Sequence, residues 1–228
     1  KRLCRTSDGR KHRRHGKQLM TAFNKAAFQK AATDLCRYGK ILYDNNWSPA
    51  TSSNYSVRLN EDVCALTSSG KHKGELTPAD ILAVNMQGEP LSEGKPSAET
   101  GLHTQLYRRD ANIGAVLHTH SPTVVLLSQI WQDDSLSITG WELQKAFAGE
   151  TTHEGTVTFP IFPNDQDIDR LSAQVEDHMQ QHGQGHAYLI RGHGVYTWGK
   201  DIAECYRHLE AIEHLLGYQL ELLKIRQP

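Results

Sequence analysis

Two histidines one residue apart, His118-Thr119-His120, close the apolar run Ala115-Val116-Leu117. If that run is a strand, residues i and i+2 share a face and the two imidazoles converge. Convergent imidazoles are metal chemistry: histidine nitrogens at about 2 Å suit zinc, and a catalytic zinc takes about three protein ligands with a fourth position open to substrate. His193 in Arg191-Gly192-His193-Gly194 is the candidate third ligand, because the flanking glycines permit a close approach where two apolar strand-like runs meet. Other histidines compete poorly. His178 and His182 share a helical face, but Gln180, Gln181 and Gln184 around them read as a solvated surface, and His208 and His214 are spaced so as to point apart on one helix.

These residues need elements to hold them. Phe28, Ala32, Leu35 and Leu42 recur at helical spacing until Asp44-Asn45-Asn46. Two strand-like runs, Tyr55 to Leu59 and Val63 to Thr67, flank Asn60-Glu61-Asp62, which predicts an antiparallel hairpin. A third run spans Ile81 to Asn85, and Ser97 with Ala98, Leu102 and Leu106 predicts a helix. A strand from Ile113 to His118 then meets Ser121-Pro122, a helix start with serine as cap and proline in the first turn. Further on, Val157 to Phe162, Ala187 to Ile190 and Val195 to Trp198 read as strands. Ile168, Leu171, Val175 and Met179 mark a helix, and Asp201 with Glu204 opens a long final one. Hairpins interspersed with helices predict an α/β protein with a mixed, largely antiparallel sheet covered by helices; no glycine-rich nucleotide-binding signature is present.

Composition narrows the partners. Among 228 residues, 25 basic and 26 acidic side chains nearly cancel, which argues against nucleic acid or an anionic membrane and for a small-molecule partner. Cys4, Cys36, Cys64 and Cys205 are scattered with no C-x-x-C pair, so a reducing cytoplasm is expected rather than a disulfide framework. No run of about 18 apolar residues reads as a membrane span, and no signal peptide is expected. Residues 1–19 carry eight Lys or Arg against the single acid Asp8 and read as a basic, disordered extension; residues 20–228 read as one catalytic domain.

Three separated motifs carry a likeness beyond the H-x-H pair. Lys95-Pro96-Ser97-Ala98-Glu99-Thr100, Val116-Leu117-His118-Thr119-His120-Ser121, and the run from Leu189 through Arg191-Gly192-His193-Gly194 to Trp198-Gly199, in this order, resemble the class II aldolase and adducin superfamily. The Tyr196 and Trp198 of the last run, with Thr139-Gly140-Trp141-Glu142, make the chain most similar to the zinc-dependent dehydratases of methionine salvage, which act on a phosphorylated ketose. The likeness extends from about Phe28 to Leu223. It implies a three-layer α/β/α sandwich, one zinc per subunit on His118, His120 and His193, and a homotetramer with active sites near subunit boundaries. It also implies Glu142 as catalytic acid or base, while aldolase relatives place their catalytic carboxylate at the position of Glu99.

For phosphate, the family uses loops matching Thr51-Ser52-Ser53-Asn54 and Ser68-Ser69-Gly70 together with the serine at Ser97, so Asn54, Ser69, Gly70 and Ser97 are the expected anion-binding residues. Serines stand in the first loop where the family has glycine, which predicts either an altered backbone path or strain. The implied chemistry is loss of water from the ketose phosphate, with Glu142 passing a proton to the leaving hydroxyl and Glu99 assisting deprotonation beside the ketone. A zinc aldolase or epimerase for another sugar phosphate is the alternative, and a non-catalytic adducin-like scaffold a more distant one.

Overall fold

A computed structural model describes residues 23–226. The basic extension expected at residues 1–19 lies outside the described residues. Helix α1 (Lys25–Asp44) starts where the Asn24 side chain accepts from the backbone N–H groups of Ala26 and Ala27; it buries Ala32, Leu35 and Leu42 as their spacing predicts, packs Phe28 partly buried, and adds Ala31 and Tyr38. Strands β1 (Asn54–Arg58) and β2 (Val63–Thr67) form the expected hairpin, and β3 (Ile81–Asn85) pairs antiparallel with β2. Then follow α2 (Thr100–Arg109), β4 (Ala115–Thr119), α3 (Pro122–Ile130), β5 (Ser135–Thr139) and β6 (Thr156–Phe162). The order ends with α4 (Ile168–His182), β7 (Ala187–Ile190), β8 (Gly194–Gly199) and α5 (Ile202–Arg226).

The eight strands make one sheet in the order β3-β2-β1-β4-β8-β7-β6-β5, antiparallel at every pairing except β6 with β7. Each face of the sheet carries its own apolar layer. Leu35, Leu127, Leu209 and Ile212 from α1, α3 and α5 meet Ala115, Leu117 and Val195 on one side; Leu102, Leu106, Leu171 and Val175 from α2 and α4 meet Val116, Tyr188 and Tyr196 on the other. The alternation along β4 and β8 sends odd residues to the first layer and even residues to the second. This is the helix-flanked, mostly antiparallel α/β fold that the sequence predicts.

Two element expectations change. The helix expected from Ser97 begins at Thr100, with Glu99 as the residue that precedes the first turn. Strand β5 is an addition to the expected elements, since Ser135-Leu136-Ser137-Ile138-Thr139 holds only two apolar residues, both buried, and forms a sheet edge with the polar ones exposed.

Candidate functional site

His118 and Thr119 end β4, and His120 follows at once. Across the sheet, β8 pairs antiparallel so that Tyr196 lies opposite His118 and Val195 opposite Thr119, which brings the His193 turn beside His120. Gly194 is required there: a Cβ on it would overlap the Thr119 carbonyl oxygen and lie 3.1 Å from the His118 ring. Gly192 holds a positive φ of 64°, which glycine adopts without steric cost. The three rings consequently meet, with centroids 4.5 Å apart for His118 and His120, 4.6 Å for His120 and His193, and 5.1 Å for His118 and His193.

A carboxylate completes the group. Glu99 Oε1 lies 3.0 Å from His193 Nε2, and Oε2 lies 3.2 Å from His118 Nε2. One ligand atom from each of Glu99, His118, His120 and His193 falls within 4.8 Å of all the others, so the four can hold one metal ion. Donor geometry fits a cation at the shared point. His118 Nδ1 donates to the Val195 carbonyl at 2.9 Å, and His193 Nδ1 to Asn164 Oδ1 at 3.0 Å, which turns the bare Nε2 of each ring inward. Burial pushes His118 down to about 4, and burial with the neighbouring rings lowers His120 further, so both rings are neutral as ligands must be. For Glu99 burial opposes ionisation, but coupling to whichever of the His118 and His193 rings holds a proton, together with the Asn54 amide, outweighs it and holds the carboxyl well below the ordinary range.

Around Glu99 stand Tyr196 and two residues expected to grip phosphate, Asn54 and Ser97, whose link to Glu99 the sequence does not show. Tyr196 donates its OH to Glu99 Oε2 at 3.0 Å and stacks on His118 at 4.0 Å between centroids. Asn54 Nδ2 donates to the same Glu99 oxygen at 2.8 Å and to Ser97 Oγ at 3.3 Å, and Ser97 Oγ accepts from the Glu99 backbone N–H. Two of the expected phosphate residues are therefore wired to Glu99. Ser69 and Gly70 form an exposed turn, tied to the Ser97 segment by a bond from Ser69 N–H to the Lys95 carbonyl. In the first loop Ser53 takes φ 72°, so the strain expected from serine in place of glycine is present. Beneath both loops lies Lys73, buried and bonded through Nζ to the Thr51 and Lys71 carbonyls, with no carboxylate partner among the described residues. Burial lowers its amine to about 8.

Glu142 does not join this group. It opens a 3₁₀ turn (Glu142–Ala146) after β5, with its side chain 74 % exposed and paired to Lys145 at 2.6 Å. Four strand spacings of about 4.8 Å separate β5 from β4, about 19 Å in all. The register also puts Ser135, the start of β5, level with His118, and β5 then runs away from the histidine end of the sheet. Within one chain, Glu142 is more than about 20 Å from the imidazoles.

A family model for the class II aldolase and adducin N-terminal domain matches residues 33–220. The chain belongs to the class II aldolase and adducin family. Methylthioribulose-1-phosphate dehydratase of Alcanivorax borkumensis is 53% identical over 204 residues, 90% of this chain and 97% of that protein. The dehydratase of the same name from Pseudomonas aeruginosa is 53% identical over 188 residues, 82% of this chain and 92% of that one. Among solved structures, the L-fuculose-1-phosphate aldolase from Thermus thermophilus superposes with a TM-score of 0.68 at 25% identity, covering 86% of this chain and 98% of the other. In this class II aldolase and adducin family member, the three-histidine, one-glutamate cluster lies at the strand ends where β4 and β8 meet.

Proposed function

We propose that this protein dehydrates 5-methylthioribulose 1-phosphate to 2,3-diketo-5-methylthiopentyl 1-phosphate, the hydro-lyase step of methionine salvage, in the cytoplasm. The observation that carries the proposal is 53% identity to a dehydratase of that name over nearly the whole of both chains. Three imidazoles and one carboxylate converging on a shared point are a donor set that suits zinc, so His118, His120 and His193 are its proposed ligands, one ion per subunit. Bound there, zinc supplies Lewis acidity next to the substrate ketone.

The chain's own groups handle the protons. Glu99, ionised and fixed by Asn54 and Tyr196, takes the proton from C3, and the bonding pair passes into the C2–C3 enediolate. The enediolate pair then moves into a C3–C4 double bond as the C4–O bond breaks, the hydroxyl leaves as water with a proton from Glu142, and the resulting C3 enol ketonises by transfer of its proton to C4. Because Glu142 stands far from its own histidines, it serves this site from a neighbouring copy, in keeping with a homotetramer whose active sites lie at subunit boundaries. The Ser97 hydroxyl and the Ser69-Gly70 turn receive the phosphate, and the uncompensated Lys73 charge beneath the loops favours a dianion.

Incubation with 5-methylthioribulose 1-phosphate should yield the diketone. Release of dihydroxyacetone phosphate from a ketose 1-phosphate instead would mark an aldolase, the reading that Glu99 at the metal cluster would then favour.

A further inference from the structure

Behind Glu99 runs a buried chain of polar side chains that ends far from solvent. Glu99 Oε2 meets Asn54 Nδ2 at 2.8 Å, Asn54 Oδ1 meets His103 Nε2, His103 Nδ1 meets Ser56 Oγ at 2.7 Å, and Ser56 Oγ meets Tyr107 OH at 2.8 Å. Ser56 and His103 are fully buried and Tyr107 is 2% exposed. The elements explain the alignment. Ser56 and Asn54 share a face of β1, His103 follows Glu99 by one helical turn, and Tyr107 follows His103 by another.

One assignment of hydrogens satisfies every link. An ionised carboxylate only accepts, so the Asn54 amide nitrogen donates to Glu99 and its carbonyl oxygen must face His103. That oxygen also only accepts, so His103 carries its proton on Nε2. Burial keeps His103 neutral, down to about 4 against the opposing pull of Glu99, so Nδ1 is bare and accepts from the Ser56 hydroxyl. The Ser56 proton is then spent, and Tyr107 donates to its oxygen.

We infer that His103 is a positioning residue for Glu99: held as the Nε2–H tautomer by Ser56 and Tyr107, it fixes the Asn54 amide with its N–H toward the carboxylate. With the opposite tautomer, Asn54 would turn its carbonyl oxygen toward Glu99, and two acceptors would face each other at hydrogen-bond distance. Tyr196 alone would then hold Oε2, and the carboxylate could swing off the line to the substrate. The inference rests on Glu99 as a working carboxylate, yet its first test needs no substrate.

Nitrogen-15 NMR on the zinc-loaded protein, with the His103 signals assigned by their loss in His103→Gln, should show a protonated Nε2 and a bare Nδ1 between pH 6 and 8. A protonated Nδ1, or a doubly protonated ring, overturns the inference whatever the enzyme's substrate. The second test uses turnover of 5-methylthioribulose 1-phosphate. His103→Gln retains an N–H donor near the Nε2 position and should keep kcat within about threefold, whereas His103→Phe should lose about 10- to 100-fold in kcat with KM little changed. Both variants should keep a full equivalent of zinc. Equal losses in the two, or a loss confined to KM, would show that His103 only fills space.

Discussion

His118 owes its role to what surrounds it: a backbone carbonyl fixes its tautomer, Tyr196 stacks on one face, and burial keeps the ring neutral. His178, a part-buried ring on α4 next to His182 and edge-on to Phe162, is not joined among the described residues by a second and third convergent imidazole or by a carboxylate such as Glu99. His118→Ala should strip the metal while His178→Ala retains a full equivalent by elemental analysis; zinc retained by the His118 variant would remove it from the ligand set. The sequence shows the three histidines because H-x-H on a strand and a glycine-flanked histidine are local patterns. Tyr196, His103 and Asn164 are hidden from it because their relation to Glu99 and His193 is set by strand register and helix packing, not by nearness along the chain. A second buried acid makes its own prediction. Glu213 on α5 accepts from Ser121 Oγ at 2.7 Å, and burial pushes its carboxyl up to about 7. Unfolded glutamate ionises near about 4.3, so between that pH and about 7 the folded chain keeps a proton that the unfolded chain has released. Stability from this group is therefore full below the unfolded value, falls as pH rises through the window, by about 4 kcal/mol in total, and is level above it. In Glu213→Gln that slope should vanish, leaving the variant more stable than wild type at pH 8 in urea melts. Parallel pH profiles would mean that Glu213 titrates in its native surroundings as it does in the unfolded chain.

At the scale of elements, the close passage of β8 past β4 decides the metal cluster. Gly194→Ala would press a methyl group into the Thr119 carbonyl, so β8 must back away from the very residues that place His118 and His193. Overpacking of this kind costs about 1–3 kcal/mol, and here the displaced rings should also bind zinc more weakly. Gly70 is the comparison. Its φ of 72° disfavours alanine, but a Cβ there meets nothing within 4 Å. Gly70→Ala should therefore lose about 1 kcal/mol with zinc affinity unchanged; equal effects on zinc in both variants would detach the cluster from the β4–β8 approach. Most elements are legible in the sequence because their apolar residues repeat at one clear period, as in α1 and the final helix α5. β5 is not, since an edge strand buries one face only and its Ser-Leu-Ser-Ile-Thr offers just two apolar residues to count. α2 starts later than its spacing predicts for a related reason: Ser97 spends its hydroxyl oxygen on Asn54 and the Glu99 N–H, so the Pro96-Ser97-Ala98 segment serves the site before the helix begins.

At the scale of the whole molecule, the sheet sets the question of Glu142. No rotation of a side chain crosses four strands, and β5 delivers Glu142 to the end of the sheet away from the imidazoles. The sequence places Glu142 in a motif but says nothing of which copy's site it reaches, since that depends on surfaces meeting between chains. If the acid comes from a neighbour, two inactive variants should repair each other. His118→Ala keeps Glu142 but lacks a working cluster; Glu142→Gln keeps the cluster but lacks the acid, and each alone should lose most turnover, with general acid catalysis worth about 10² to 10⁴-fold. Co-expressed in equal amounts and assembled at random, half of the sites belong to a chain with an intact cluster. Half of those face a neighbour with an intact Glu142, so about a quarter of wild-type activity should return per mixed oligomer. Tagging each variant differently and purifying through both tags isolates the mixed species. If those mixed oligomers are as inactive as their parents, Glu142 does not act across a subunit boundary, and the proton for the leaving hydroxyl must come from a group beside the cluster itself.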